Sequence, residues 1–136
     1  MGLGPGAHSR VSDVSHGHNR HALVNIPSPD RWMSEVERVG HGVKLKQNID
    51  VLYSVKELVA TGLRTTSGIS ESDWNRVCDG HISMYTLYQC LCSTNIKTGI
   101  ILKDGYLRVT PDKICILDSL LPHAFNALDL INDQII

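Results

Sequence analysis

Ile100-Ile101-Leu102-Lys103-Asp104-Gly105-Tyr106-Leu107-Arg108-Val109-Thr110-Pro111 is where the period of this chain changes. Two short apolar runs, Ile100–Lys103 and Tyr106–Val109, flank Asp104-Gly105. An Asp-Gly pair in that setting predicts a β-hairpin, because both central residues of a type I′ turn need positive φ. Thr110-Pro111 then reads as the N-cap and first residue of a helix, since proline gives up an N–H that has no partner there.

Working outward, the final helix carries Ile114, Leu117, Leu120, Leu121, Ala124, Phe125 and Leu128, with Pro122 inside it to bend it or remove one backbone bond. Upstream, Asn48 or Asp50 can cap a helix reaching about Thr65, whose Leu52, Val55, Val59 and Leu63 repeat at helical spacing. Ser70-Glu71-Ser72-Asp73 opens a short helix with Trp74 and Val77. A third helix, about Ile82 to Cys92, aligns Met84, Leu87, Tyr88 and Leu91. Helix, helix, helix, hairpin, helix is the order of a winged-helix-like module. Residues 1–30, rich in Gly, Ser, His, Asn and Pro, read as loop. Pro29-Asp30 opens a helix to Val39, ended by Gly40, with Trp32, Val36 and Val39 on one face. Residues 40–47 read as a Lys-bearing connector. The expected fold class is α+β, mostly α, divided into residues 1–46 and 47–136.

The chain has 136 residues, is 42% hydrophobic and carries a formal charge of −1. That suffices for one small core plus an appendage, and gives no long-range attraction to nucleic acid or acidic lipid. No apolar run approaches the ~20 residues of a membrane span, so no transmembrane segment is expected. The start has neither a signal-peptide pattern nor an Arg-rich transit peptide, and Gly6 stands where myristoylation wants Ser or Thr. Cys78, Cys90, Cys92 and Cys115 form no CxxC pair, so they read as reduced, partly buried thiols and not as metal ligands.

Chemistry, if present, sits at the opening: Gly2-Leu3-Gly4-Pro5-Gly6-Ala7-His8-Ser9. Glycine at this density serves a backbone that turns tightly or approaches a ligand. By spacing alone it is equally a strand-end loop lining a ligand site or a plain tight turn. The loose dinucleotide fingerprint it satisfies is rejected, since no strand precedes it and no helix follows. A domain rarely starts with its binding loop, so the chain reads as a fragment or shortened isoform of a larger protein. His8, His16, His18, His21 and His41 are concentrated near the N-terminus, but no cysteine or carboxylate completes a metal site. They read as a solvated polar loop, with His8 set apart by the glycine motif. No nucleophile has a base at a fixed spacing. The helix 82–92 holds no Arg or Lys and the hairpin offers only Lys103 and Arg108, so nucleic acid is not an expected partner.

The motif GLGPGAHS resembles the GxGxGAHS element near the end of the catalytic barrel in radical SAM proteins of the oxygen-independent coproporphyrinogen III oxidase family. Glu57-Leu58 with Gly62-Leu63-Arg64-Thr65-Thr66-Ser67-Gly68-Ile69, the wing-like Gly105–Thr110, and Leu117-Asp118-Ser119-Leu120-Leu121 resemble later elements of that family in the same order. The branch most similar is that of the haem chaperone HemW and its animal mitochondrial relatives. The resemblance implies a protein with a partial TIM-type barrel, a 4Fe-4S cluster and S-adenosylmethionine. In the chaperone branch it implies haem passed to respiratory proteins, and in the oxidase branch decarboxylation of porphyrinogen propionates.

On that footing residues 1–46 would be a remnant of the barrel end, and residues 47–136 the family's C-terminal winged-helix-like domain. Gly4, Gly6, Ala7 and His8 would contact S-adenosylmethionine through backbone and shape. The chain has no CxxxCxxC and no HNxxYW, so cluster ligands are absent and the segment is expected to be inactive alone. The missing barrel would then be its partner, and its location mitochondrial, or cytoplasmic if the chain is bacterial or without a targeting segment. The alternative is a small independent interaction module that keeps the fold without cofactors.

Overall fold

The computed structural model describes residues 1–13, 19–93 and 99–133. The chain divides into two units, Met1–Asp50 and Val51–Ile136. Its described residues are α+β, with five α-helices and two three-stranded antiparallel sheets among them.

The first unit corrects the reading of residues 1–30 as loop and of 40–47 as connector. It contains β1 (His8–Asp13), β2 (Asn19–Asn25), α1 (Pro29–Val39) and β3 (Val43–Ile49), with sheet order β1-β2-β3. His8 pairs with Val24 and Val11 with His21; Arg20 pairs with Ile49 and Val24 with Leu45. A register shift at Val24/Asn25 admits an extra residue in β3. Position 46/47 falls inside β3, so the division lies after Asp50 instead. Gly40 ends α1 in the left-handed region at φ 84°, its N–H donating to the Val36 carbonyl. Gly42 lets the Trp32 ring lie against the chain, for a Cβ there would sit 2.1 Å from Trp32 Cδ1. Yet α1 has no buried residue, and among the described residues of this unit only Ser9 and Gly42 are buried.

The second unit holds the core. Its elements are α2 (Val51–Gly62), β4 (Ile69–Ser70), α3 (Glu71–Cys78), α4 (Met84–Ser93), β5 (Ile100–Lys103), β6 (Tyr106–Val109), a 3₁₀ turn (Pro111–Ile116) and α5 (Leu117–Asp133). Val55, Val59, Leu63, Trp74, Leu87 and Leu107 are at most 1% exposed. The helical stripes predicted the buried helix faces, but Leu52, Tyr88 and Phe125 are only partly buried, and Ile114, in the 3₁₀ turn before α5, is exposed. The hairpin turns as expected, Asp104 at φ 54° and Gly105 at φ 75°. Ser70 caps α3, its Oγ accepting from the Asp73 N–H at 3.0 Å and donating to the Asp73 carboxylate at 2.7 Å. That hydroxyl, with Arg76 beside it, holds the Asp73 carboxyl below the usual range. The two-residue β4 was not foreseen; it pairs with β6, making the sheet order β4-β6-β5. Helix α5 runs through Pro122.

The helical stretch Pro111–Asp133 is long and apolar enough to cross a membrane, with a mean hydropathy of 1.4 over its best window. Alanine, leucine and isoleucine spaced among polar residues raise the mean without forming a continuous apolar run. Its apolar stripe is occupied: Leu117, Leu121, Ala124 and Leu128 are in the core.

Cys78 is wholly buried, and desolvation pushes its thiol up to about 12. Cys92 and Cys115 are exposed. At pH 8 an alkylating reagent is expected to modify Cys92 and Cys115 in the folded chain and Cys78 only after denaturant is added, read by peptide mass spectrometry. Modification of Cys78 at the same rate as Cys92 would show that α3 opens readily.

Candidate functional site

The glycine-rich opening forms a turn pinned to the end of β2. Gly4 and Gly6 have φ of 96° and 68°, which glycine adopts without the clash a Cβ would bring. The Gly6 N–H donates to the Ile26 carbonyl at 2.9 Å, and the Asn25 N–H to the Ala7 carbonyl at 2.9 Å. The Asn25 side-chain amide donates to the Gly4 carbonyl at 2.8 Å. Ser9, which is buried, accepts from the Gly2 N–H at 3.0 Å.

The glycines do different things. A Cβ at Gly2 would lie 2.6 Å from the His8 carbonyl oxygen, so Gly2 permits close backbone approach. A Cβ at Gly4 would meet nothing within 4 Å, and one at Gly6 would meet only Pro27, at 3.7 Å or more. Glycine is therefore needed at Gly4 and Gly6 for conformation, and their outer side is open. Ala7 is half-buried and His8, the first residue of β1, is exposed. These four sequence-derived candidates thus lie together on one turn. Gly2, Ser9 and Asn25, which hold its shape, were missed; Asn25 is 21 residues from Gly4 and no local pattern connects them.

The described histidines of the first unit do not gather. His8 and His21 sit on opposite faces of the first sheet, because their paired positions, Val24 and Val11, alternate. His16 and His18 lie outside the described residues. The exposed His41 accepts from the Val43 N–H through Nδ1 at 3.4 Å. Among the described residues no three His, Cys, Asp or Glu side chains could hold a metal ion. A depression of about 190 Å³ on α1 is lined by Asp30, Arg31, Ser34 and Glu35. It is smaller than the ~300 Å³ at which ligand pockets begin.

The motifs of the second unit are structural. Arg64 reaches Asp118 at 2.6 Å and also donates to the Ala60 carbonyl, so Gly62–Ile69 and Leu117–Leu121 meet at this pair. Both side chains are exposed, so the pair orients the elements and adds little stability. The Thr65 hydroxyl donates to the Gly62 carbonyl at 2.7 Å and accepts from the Gly68 N–H at 3.1 Å, closing the bend between α2 and β4.

Three known proteins are similar to most of this chain. Radical S-adenosyl methionine domain-containing protein 1, mitochondrial, of Bos taurus is 34% identical over 127 residues, covering 89% of this chain and 28% of the bovine protein. The Mus musculus protein of the same name is 32% identical over 125 residues, with the same coverage. The chain resembles a C-terminal fragment of these radical S-adenosyl methionine domain-containing proteins. The Danio rerio member is 29% identical over 135 residues, covering 96% of this chain and 30% of that protein. The chain thus spans less than a third of the length of these radical S-adenosyl methionine domain-containing relatives, and the match fits a C-terminal segment of them. No family model and no solved structure matches the chain.

The fit of the family's cofactors to these residues is uneven. A 4Fe-4S cluster has no place among the described residues, whose four cysteines all lie in the second unit and form no metal-binding group. S-adenosylmethionine fits in one respect: the open side of Gly4 and Gly6 leaves backbone accessible to a ligand.

Proposed function

We propose that this chain is the C-terminal segment of a mitochondrial radical SAM haem chaperone or coproporphyrinogen oxidase-like protein, and that its opening turn lines the S-adenosylmethionine site. The observation that carries this reading is the pair of positive-φ glycines, clamped by Asn25 and Ile26 and open on their outer side, in a chain similar along nearly its whole length to radical SAM domain-containing proteins. S-adenosylmethionine, when bound beside a reduced cluster, supplies radical chemistry. Gly4, Gly6, Ala7 and His8 contribute shape and backbone groups, and no acid–base step. The cluster ligands and most of the cofactor site belong to the rest of the protein. Haem or a porphyrin is the proposed cargo, with haem-accepting respiratory proteins downstream.

The second unit serves as a winged-helix-like cover for that barrel. Its order α2-β4-α3-α4-β5-β6 and its hairpin wing support this, as does an α4 without Lys or Arg. A second reading, an independent interaction module, is favoured by one fact: among the described residues the buried apolar core lies in that unit.

The deciding experiment replaces the residue aligned with Gly6 by valine in the intact bovine relative and titrates it separately with S-adenosylmethionine and haem. A β-branched residue at φ 68° carries ~1–2 kcal/mol of strain, so S-adenosylmethionine affinity is expected to fall about tenfold with the protein still folded. Unchanged affinity would reduce the turn to a structural element.

A further inference from the structure

We propose that the outer face of the β5–β6 hairpin, built from Ile101, Lys103, Tyr106 and Arg108, docks an acidic polypeptide segment, with a carboxylate of that segment held by Arg108. This surface lies in the second unit and owes nothing to the glycine turn or to a cofactor.

Strand pairing fixes the face. Ile100 pairs with Val109 and Leu102 with Leu107, and these four pack on the core. Ile101 pairs with Arg108 and Lys103 with Tyr106, so these four point the other way. Ser70 pairs with Tyr106 and borders the face, but its hydroxyl already caps α3. Arg108 is the informative residue. Its stem lies against Gly68, where an added Cβ would fall 2.5 Å from Arg108 Cγ. Its guanidinium sits 4.6 Å from the centre of the Tyr106 ring. Half-buried, its side chain makes no hydrogen bond and no ion pair among the described residues, and its Nε–H is shielded from water without an acceptor. By contrast Arg38, Arg64 and Arg76 each meet a carboxylate, at 2.6, 2.6 and 2.5 Å. Desolvating a guanidinium that has no acceptor is costly. One held over an aromatic ring is pre-organised for the two oxygens of a carboxylate. The two Nη groups are not among the shielded atoms, so a carboxylate can reach them from outside.

Charge and shape choose the occupant. Lys103 is exposed and is a second cation without an ion pair among the described residues. Ile101 is 38% exposed, so the face sets two positive charges beside apolar surface. Two acids stand at its tip. Asp104 is in the turn, and Glu71 Oε2 lies 3.8 Å from where a Cβ on Gly105 would be. They oppose a nucleic acid, which carries a charge at every link, and the neighbouring helix α4 adds no Lys or Arg to offset them. Carboxylates spaced along a peptide can avoid them. A small dicarboxylic acid fits less well, because small ligands are held in concave sites and this is the open face of a sheet. A polypeptide segment supplies both parts: a carboxylate for Arg108 and an apolar side chain for Ile101. The charged pair then fixes the register of the contact.

Nuclear magnetic resonance of the full, isotope-labelled chain tests this with a capped peptide that alternates valine and glutamate. Millimolar peptide is expected to move the Arg108 Nε–H signal and the amides of Ile101, Lys103, Tyr106 and Arg108. The same peptide with glutamine for glutamate is expected to bind at least about fivefold more weakly, as is the acidic peptide to Arg108→Gln. Arg108→Lys keeps the charge but loses the planar fork, so it is expected to behave as Arg108→Gln does. Lys103→Gln, at an exposed position, is expected to weaken binding about twofold without moving the thermal midpoint, and it carries the test if Arg108→Gln disturbs the fold. No shift at this face, or equal binding of the two peptides, would overturn the proposal. Glutarate binding as tightly as the acidic peptide would overturn it in favour of a small dicarboxylic acid. Tighter binding of a single-stranded oligothymidylate would do so in favour of nucleic acid, and shifts that grow with chain concentration alone in favour of a second copy.

Discussion

Trp74→Ala is expected to unfold much of the second unit at body temperature. Trp74 is 0% exposed, and its indole N–H donates to the Ile82 carbonyl at 2.7 Å, tying α3 to the start of α4. Removing a buried tryptophan side chain costs about 3–5 kcal/mol, through lost burial and the cavity left behind. The orphaned carbonyl adds roughly 1 kcal/mol. A domain of this size has only about 5–10 kcal/mol of stability, so one substitution consumes a large share. The thermal midpoint should fall by at least about 15 °C, since 1 kcal/mol moves a small domain by about 4–8 °C. Circular dichroism reads the loss. The chain has two tryptophans, one in each unit, so Trp32→Phe leaves an emission signal from Trp74 alone. In that background Trp74 emission should shift to the red in the transition that circular dichroism follows. A midpoint within about 3 °C of the unaltered chain would mean that the core around Trp74 collapses to fill the gap.

Much of the second unit was legible because its signals are local and agree with one another. Val55, Val59 and Leu63 repeat along one helical face and are buried. Asp104-Gly105 can hardly do anything but turn, and Ser70 stands three residues before the amide it caps. The first unit was not legible for the opposite reason. Its strands bury no apolar side chain, so selection for alternation is weak, and His8–Asp13 offers Val11 as its sole apolar residue. In β3 the alternation exists, with Val43, Leu45 and Ile49 separated by Lys44, Lys46 and Asn48, but the lysines read as a connector. The two-residue β4 is too short to have any period; its pairing with β6 is a tertiary fact. The candidate site divides in the same way. Its glycines announce themselves by density, whereas Asn25 reaches Gly4 only once β1 and β2 have paired. His8 and His21 fall on opposite faces of the first sheet, because a strand sends successive side chains to opposite faces.

Gly68 provides the second large effect, and it separates two roles of glycine that the sequence alone confounds. Gly68 has φ 74° and lies where the bend after α2 enters β4. A Cβ there would fall 2.3 Å from the Leu107 carbonyl oxygen and 2.5 Å from Arg108 Cγ. The arginine side chain can move aside. The carbonyl cannot move easily, because Leu107 is fully buried in β6 and paired with both Ile69 and Leu102. Gly80 is the control within the same unit: its φ is 79°, yet a Cβ there would meet nothing within 4 Å. Gly80→Ala should therefore show the conformational penalty alone, ~1–2 kcal/mol. Gly68→Ala should show that penalty plus the cost of pushing β4 off β6, for a total of about 3–5 kcal/mol, at the upper end of single-residue effects. Urea unfolding of both variants, followed by circular dichroism, gives the comparison directly. Exchange of the Ile69 and Leu107 amides should rise in Gly68→Ala and stay unchanged in Gly80→Ala. Equal losses in the two variants would mean that the contact with Leu107 relaxes at little cost, and that the junction of α2 with β4 is held by the Thr65 hydroxyl and not by the closeness of two backbones.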